Sequence, residues 1–238
     1  MQTIQVRKSS ERGYANRGWL ESYHSFSFAE YHDPQYMHFS TLRVINEDVI
    51  GPAQGFGMHP HNDMEIVTYM LQGALQHTDN MGHSSVIKSG DVQRMTAGTG
   101  VMHSEVNASK TEDAHLLQIW ILPERLHLPP SYEEKHFSAS KKSNQWCLIA
   151  SNDGREESLV VHQDMLLYAT ILSPDVTLEY VLNTRRSAYL QVATGEVEAN
   201  GQSLAAGDAL MLDGMATLEI KAATQAELLL FDLPLHIA

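Results

Sequence analysis

Hydrophobic residues in this chain occur in short runs that alternate with polar residues or are bounded by Gly, Asn and Asp. β-Branched and aromatic residues are frequent in these runs, as they are in β-strands. The runs occupy 66–71, 85–87, 92–95 and 115–122 in the first half, and 159–161, 166–172, 177–182 and 188–192 in the second. Many short strands separated by turn residues are typical of sandwiches and barrels, so the pattern predicts an all-β fold.

Residues 4–50 mix aromatic clusters with two further strand patterns and show no helical periodicity of useful length. Large and polar residues alternate over 19–28, and a second run covers 39–45. This second strand is predicted to stop at the polar sequence Asn46-Glu47-Asp48. Residues 129–144 are polar and begin with two prolines, so they are the predicted linker between domains.

A weak internal repeat relates the two halves of the chain. The Gly73 turn and the Ser-Gly-Asp turn at 89–91 are matched by Gly195 and the Ala-Gly-Asp turn at 206–208. We therefore expect two copies of one β-barrel unit, the first over residues 1–132 and the second over 133–238. The second copy has nothing like His-x-His or His-x-Glu at the equivalent places, so only the first is expected to bind a metal.

Two segments of the first half carry candidate metal ligands. One is His59-x-His61, which follows a glycine-rich approach, and the other is His103-x-Glu105, which follows a second glycine pair. Residues two apart on a strand point to the same face. If the two segments lie side by side, three imidazoles and one carboxylate converge on one point, so we predict a metal site with room for a further ligand.

Imidazole and carboxylate ligands without a thiolate suit several divalent metals. Because the predicted ligand set leaves coordination positions open, a reactive metal is expected rather than a closed structural one. Fe(II) is the preferred metal, and Cu, Ni, Co, Mn and Zn are compatible with the same ligands.

Other polar residues receive less specific interpretations. Glu65 is expected at the surface or just behind the ligands, and as a ligand only if the chain bends after His61. Gln118 is expected either to hydrogen-bond a ligand imidazole or to face solvent. The remaining histidines of this half are interpreted as packing or surface residues: His24, His32, His38, His77, His83 and His115.

Composition and charge exclude several classes of function. The chain has 238 residues, a formal charge of −13 with His neutral, and a pI of about 5.3. An acidic surface repels nucleic-acid phosphates and no Lys/Arg stripe offsets it, so direct nucleic-acid binding is not expected. The single cysteine, the lack of an apolar signal segment and the lack of a membrane-length apolar run predict a cytoplasmic protein that does not enter the membrane. We expect a monomer.

The histidine segments and their surroundings resemble the pirin family, a branch of the cupin superfamily with two β-barrel domains per chain. The resemblance is carried by His59-Pro60-His61-x-x-x-Glu65-x-Val67-Thr68-Tyr69-x-Leu71-x-Gly73 and by Gly90-Asp91-Val92-Gln93-x-Met95-Thr96-Ala97-Gly98-x-Gly100-x-x-His103-Ser104-Glu105. The opening over residues 11–20 is similar to that of the short bacterial pirin-like proteins.

The resemblance implies a first barrel that binds one metal, usually iron, through residues matching His59, His61, His103 and Glu105. It also implies quercetin 2,3-dioxygenase activity, with a flavonol and O₂ as substrates and with Glu105 accepting the proton of the flavonol 3-hydroxyl. Four apolar residues are expected to line the substrate pocket: Phe56, Met58, Tyr69 and Met95.

Two other functions compete with this one. A metal-binding regulatory protein would sense a redox or ligand state and act through an unidentified protein partner. A sugar or small-acid isomerase is disfavoured, because no Lys/Arg pair is positioned to hold an anionic substrate.

Overall fold

The computed structural model describes residues 3–214 and 217–235, most of which are in strands. The strands of the first half are β1 (Thr3–Arg7), β2 (Gly13–Asn16), β3 (Leu20–His24), β4 (Leu42–Ile50), β5 (Gly55–His61), β6 (Glu65–Gln72), β7 (Ala74–Asp79), β8 (Ser84–Lys88), β9 (Asp91–Thr96), β10 (Val101–Asn107), β11 (Ala114–Ile121) and β12 (Ser131–His136). Those of the second half are β13 (Cys147–Ser151), β14 (Leu159–Val160), β15 (Leu166–Leu172), β16 (Thr177–Val181), β17 (Arg186–Thr194), β18 (Glu196–Ala199), β19 (Gln202–Ala205), β20 (Ala209–Asp213), β21 (Thr217–Ala222) and β22 (Ala226–Pro234). Helical structure in the described residues is limited to α1 (Ala139–Lys142) and 3₁₀ turns at Ser9–Glu11 and Arg155–Glu157.

The all-β prediction is confirmed. The strands form two barrels, each of which consists of a seven-stranded and a four-stranded sheet. The large sheets are ordered β12-β9-β6-β11-β4-β3-β2 and β1-β20-β17-β22-β15-β13-β14, and the small sheets β5-β10-β7-β8 and β16-β21-β18-β19. Strands at equal positions in these orders correspond to one another, for example β6 to β17 and β10 to β21. This correspondence confirms the predicted repeat of one β-barrel unit. Within the described ranges, no helix has the length and apolar character to cross a membrane.

The two barrels do not divide cleanly along the chain. Strand β1 begins the chain yet pairs with β20 of the second barrel, whereas β12 pairs with β9 of the first. The predicted boundary at residue 132 therefore falls inside β12, and the predicted linker over 129–144 contains β12 and α1. Both β1 and β12 are edge strands, and an edge strand can carry a polar sequence because one side of it remains unpaired. That polar sequence is what made β12 resemble a linker.

The two large sheets pack face to face through one apolar layer to which both halves contribute, including Val67, Ile119, Leu167 and Phe231. On β11 the alternation is regular, because Ile119 lies in this layer while Gln118 and Trp120 face the interior of the first barrel. Central strands of the first barrel are thus covered on both faces. Strands covered on both faces have nearly continuous apolar sequences, as 66–71 has.

A buried polar cluster joins the two barrels. The ammonium of Lys142 in α1 donates hydrogen bonds to the hydroxyl of Tyr69 on β6, at 2.7 Å, and to the carboxylate of Glu227 on β22, at 2.6 Å. Tyr69 is therefore directed towards the second barrel rather than into the interior of the first.

Strand β4 continues to Ile50, beyond the predicted stop at Asn46. Asn46 and Asp48 are 2% and 3% exposed, and both line a cavity inside the first barrel. The polar sequence does not end the strand, because its inward face borders a polar cavity and because β4 pairs with β11 through Ile50.

In the second barrel, the strands that correspond to β5 and β10 carry apolar side chains on the inside. Leu178 lies opposite Ile220, and Tyr180 opposite Leu218, and all four belong to or pack against one apolar core. In the described part of the chain, the one cluster of His, Cys, Asp and Glu side chains able to hold an ion lies in the first barrel.

Candidate metal centre

Strands β5 and β10 lie side by side in the first barrel and pair antiparallel, with His59 directly opposite His103. The potential ligand atoms of His59, His61 and His103 all lie within 4.8 Å of one another. The three ring centroids are 4.4 to 4.9 Å apart. The structure thus brings together the three histidines that the sequence placed on two separate strands.

The imidazoles of this cluster are poised to donate lone pairs to a cation. Burial, with the neighbouring imidazoles adding to it, lowers the pKa of His61 to about 4 and that of His103 to about 3. Both rings are therefore neutral at pH 7, which is the form that ligates metals. Nε2 of His103 is buried without a hydrogen-bond partner among the described residues. Buried ring nitrogens are nearly always bonded to a protein group, a water molecule or an ion, so the unpartnered nitrogen of His103 fits a metal site.

Local contacts orient the other two rings. Nδ1 of His59 donates a hydrogen bond to the carbonyl oxygen of Gly57 at 2.7 Å, which leaves its Nε2 as the ligand atom. His61 packs edge-on against Trp120, with ring centroids 5.0 Å apart. An aromatic wall on one side and a backbone carbonyl on the other hold these rings in place before any cation binds.

Glu105 lies beside the imidazole cluster but is not one of the three residues that compose it. Its side chain is buried, and its negative charge opposes the lowering of the His61 pKa. Nε2 of Gln118 donates to both carboxylate oxygens, at 2.9 and 3.2 Å, and the hydroxyl of Thr68 donates to one of them at 3.3 Å. Gln118, which was expected either to hydrogen-bond a ligand imidazole or to face solvent, contacts this carboxylate instead.

The glycine that opens β5 is required by close packing of the two ligand strands. A Cβ at Gly55 would lie 2.1 Å from the carbonyl oxygen of Glu105 and 2.5 Å from Cα of Val106. No side chain fits there, so only glycine lets β5 approach β10 closely enough to form the cluster.

The imidazoles of His59 and His61 border a cavity of about 830 Å³. Its walls come from β2, β3, β4, β5, β10 and β11 and from the segment that follows β3. The lining residues are Tyr14, Ala15, Asn16, Arg17, Leu20, Ser22, His24, Phe28, Ala29, Glu30, Tyr31, Asn46, Asp48, Phe56, His59, His61, Glu105, Gln118 and Trp120. Phe56 and Gln118 thus lie where a pocket was expected.

Three of the residues expected in the pocket do not line this cavity, and strand alternation explains two of them. Met58 alternates with His59 on β5, so it points outward and is 52% exposed. Tyr69 alternates with the inward-facing Thr68 and lies in the layer between the barrels. Met95 is fully buried in a small apolar cluster that packs against Trp120, which itself lines the cavity.

Glu65 was expected at the surface or just behind the ligands, and it is neither. Its carboxylate is fully buried and accepts hydrogen bonds from the hydroxyl of Thr96 at 3.1 Å and from the backbone N–H of His162 at 3.2 Å. Burial raises the pKa of Glu65, although these hydrogen bonds act in the opposite direction. The residue belongs to the contact between the barrels.

Four residues near the site were not predicted from the sequence. Asn46 and Asp48 were interpreted as the end of a strand, and His24 and His77 as packing or surface residues. In the structure, Nδ1 of His24 lies 2.9 Å from Oδ1 of Asn46 in the cavity wall, and Nδ1 of His77 lies 3.4 Å from Nδ1 of His103. A spacing of two, present in Asn46-x-Asp48 and again in the His-x-Asp sequence that begins at His77, was the available signal.

Asp48 gives this cavity a pH-dependent effect on stability. Burial raises the pKa of Asp48 to about 7 and the charge of Glu105 adds to the rise, against a hydrogen bond from Ser22. An unfolded aspartate titrates near 4, so the folded state binds this proton more tightly and stability falls as pH rises from about 4 through 7.

We therefore expect Asp48→Asn to stabilise the metal-free protein above pH 7, by about 2–4 kcal/mol at pH 8, with little effect near pH 4. Urea unfolding of both proteins at pH 4.5, 6 and 8 measures the difference. A difference in unfolding free energy that does not grow with pH would contradict the prediction.

The chain matches two protein families along most of its length. It matches the pirin family over residues 5–121 and the quercetinase C-terminal cupin domain over residues 148–233. The quercetin 2,3-dioxygenase of Escherichia coli strain K12 is 48% identical over 231 residues, which cover 97% of this chain and 99% of the relative. A pirin-like protein of Caulobacter vibrioides is 40% identical, over 92% of this chain and 95% of the relative.

Solved structures show the same similarity. The bacterial pirin YhhW from Escherichia coli in complex with nickel(II) is 46% identical, has a TM-score of 0.93, and matches over 98% of this chain and 99% of that one. A quercetin 2,3-dioxygenase from Acinetobacter baumannii shares the fold, with a TM-score of 0.76 at 22% identity over 98% of this chain and 79% of that one. Because its family matches and full-length relatives agree with its two-barrel architecture, this chain belongs to the pirin family of the cupin superfamily.

Proposed function

We propose that this protein is a metal-dependent dioxygenase that opens the ring of a flavonol such as quercetin. The observation that carries the proposal is the set of three converging imidazoles, two of which line a cavity of about 830 Å³, with a buried carboxylate beside them. The names of the similar proteins support the same activity.

The metal is held by His59, His61 and His103, with Glu105 as the fourth donor. Fe(II) is the proposed working metal, because three neutral nitrogen ligands and one carboxylate suit a redox-active divalent ion. Ni, Cu, Co, Mn and Zn are expected to bind the same ligands, and the nickel(II) complex of the Escherichia coli relative is in keeping with that range. When bound, the metal supplies Lewis acidity towards a hydroxyl oxygen and brings the flavonol and O₂ into register.

Glu105 is the proposed base for the 3-hydroxyl of the substrate. Hydrogen bonds from Gln118 and Thr68 fix the position of its carboxylate, so little reorganisation is needed when the proton moves. The hydroxyl of Thr68 has one hydrogen to donate, and it lies between Oε1 of Gln118, at 3.0 Å, and Oε1 of Glu105, at 3.3 Å, so it links the two side chains.

The rest of the cavity suits a flat, hydroxylated aromatic substrate. Its volume lies within the usual range for small-molecule sites, roughly 300–1,000 Å³. Phe28 and Trp120 pack edge to face in its wall, with centroids 5.4 Å apart, and supply aromatic surface for the rings of a flavonol. Asn46 and Asp48 supply polar groups for the substrate hydroxyls further along the wall.

The same cavity argues against an isomerase acting on an anionic sugar or acid. Arg17 is the one Lys or Arg among the residues that line it. A substrate carboxylate or phosphate is usually held by several cationic or backbone donors.

Metal-free protein loaded anaerobically with Fe(II), then mixed with quercetin and air, tests the proposal. We expect saturable loss of the flavonol absorbance, with O₂ consumed and carbon monoxide released in step with it. Protein treated with a chelator is the control and should be inactive. Stoichiometric metal binding without turnover for any of the six divalent metals would refute the dioxygenase and favour a regulatory metal-binding protein.

A further inference from the structure

A buried histidine–carboxylate pair lies directly behind the imidazole cluster. His77 and Asp79 on β7 face β10, where they lie opposite Glu105 and His103 respectively. Nδ1 of His77 is 3.4 Å from Nδ1 of His103, and Nε2 of His77 is 3.1 Å from Oδ2 of Asp79. Both side chains of the pair are fully buried.

The hydrogen-bonding partners assign every proton along this line. The carboxylate of Asp79 is an acceptor, since its Oδ1 accepts from the backbone N–H groups of Met81 and His83 and its Oδ2 faces Nε2 of His77. The amide nitrogen of Gln93 can only donate, so Nδ1 of His77 accepts through its lone pair and the ring hydrogen lies on Nε2, towards Asp79. That lone pair is shared by Nε2 of Gln93, at 3.3 Å, and by Nδ1 of His103, both as donors.

His103 is consequently held as the tautomer with hydrogen on Nδ1. Its other nitrogen, Nε2, keeps a free lone pair, and this is the buried atom that lacks a partner among the described residues. The same nitrogen belongs to the ring that packs against His59 and His61.

We propose that His77 and Asp79 are positioning residues of the metal centre, which fix the tautomer and orientation of His103 and thereby set the affinity for the metal. The inference rests on the metal site proposed above. Ligand histidines generally donate their second N–H to an outer partner, and the loss of such a partner weakens metal binding by about 10–100-fold. Here that partner is Nδ1 of a second imidazole, whose Nε2 is held by a carboxylate.

Asp79→Asn reverses the hydrogen-bond pattern with minimal change of shape. In the native protein, Oδ1 of Asp79 accepts from the backbone N–H groups of Met81 at 2.9 Å and His83 at 3.0 Å. In the variant, the amide oxygen of the asparagine takes the place of Oδ1, because it can accept the same two hydrogen bonds and so preserve the turn. The amide NH₂ then faces Nε2 of His77 and donates to it. His77 must move its hydrogen to Nδ1, where it opposes the Nδ1 hydrogen of His103.

Competition titrations of metal-free protein with Co(II) and Ni(II) measure the effect. We expect Asp79→Asn to weaken binding by about 10–100-fold and to change the Co(II) ligand-field spectrum. Glu47→Gln is the matched control, because Oε1 of Glu47 bonds Nε2 of His115 at 3.0 Å in the same barrel but away from the cluster. This control should bind both metals as the unmodified protein does.

A double variant separates this role from a merely structural one. In His77→Asn/Asp79→Asn, the amide oxygen at residue 77 can accept from Nδ1 of His103 whatever residue 79 does. We therefore expect the double variant to bind Co(II) more tightly than Asp79→Asn alone. Equal binding by Asp79→Asn and the unmodified protein, or no recovery in a double variant with native circular dichroism, would overturn the inference. Failure of the unmodified protein to bind one metal per chain would instead refute the metal centre itself.

Discussion

Replacing His103 with alanine should abolish stoichiometric metal binding. The side chain supplies one of three converging imidazoles, and its Nε2 is the buried nitrogen without a partner. The loss in affinity should exceed the roughly 10–100-fold that follows the loss of an outer partner, because a ligand itself is removed. Metal-induced stabilisation should also disappear, which for the unmodified protein is about 2.7 kcal/mol at a metal concentration of 100 Kd.

Metal analysis after Fe(II) loading and thermal unfolding with and without metal measure these effects. The chain has 13 histidines, so adventitious binding must be controlled. His127→Ala is the control for adventitious binding, because the His127 side chain is 77% exposed and lies outside the cavity. One tightly bound metal per chain in His103→Ala would show that the three imidazoles are not the site.

Replacing Glu105 with glutamine should lower the rate of flavonol cleavage by about 10²–10⁴-fold, the usual contribution of a general base. The amide keeps the shape of the side chain and an oxygen that can accept from Gln118, but it cannot take the proton of the 3-hydroxyl. Three imidazole ligands remain, so Fe(II) should still bind, although more weakly. Oxygen uptake with quercetin at saturating Fe(II) separates the loss of turnover from the loss of metal.

Glu65→Gln is the matched control for this prediction. Both glutamates are buried in the first barrel, but Glu65 contacts Thr96 and His162 whereas Glu105 lines the cavity. Glu65→Gln should keep its turnover once it is folded and loaded. Full turnover in Glu105→Gln would rule out its role as the base, and loss of turnover in Glu65→Gln alone would move that role to Glu65.

The two barrels have the same strand topology, but among the described residues only the first carries a cluster of potential metal ligands. In the first barrel, β5 and β10 place His59 and His103 opposite each other, and in the second the corresponding pair places Leu178 opposite Ile220. The apolar version fills its interior, whereas the polar version leaves a cavity. Function in this chain is therefore expected to follow from the first barrel, which the second supports through the shared apolar layer and the Glu227 contact.

Sequence alone determined what depends on spacing within one strand and on turn residues. The all-β class, the repeat and the histidines that share a face all follow from local rules, because a strand alternates its side chains whatever lies around it. The combination of His59-x-His61 with His103-x-Glu105 was specific enough to predict a metal site before any pairing was known.

Only the tertiary structure decided which face of each strand is the interior and which strands are neighbours. The same alternation that placed the histidines also places Tyr69 between the barrels and Met58 outside, but the sequence does not state which face is which. Asn46 and His77 face the site because of pairings with residues distant in the chain, such as that between β7 and β10. Register between distant strands is set by the packing of the whole sheet, so the spacing of two in these segments indicates residues that share a face but not that this face meets the metal site.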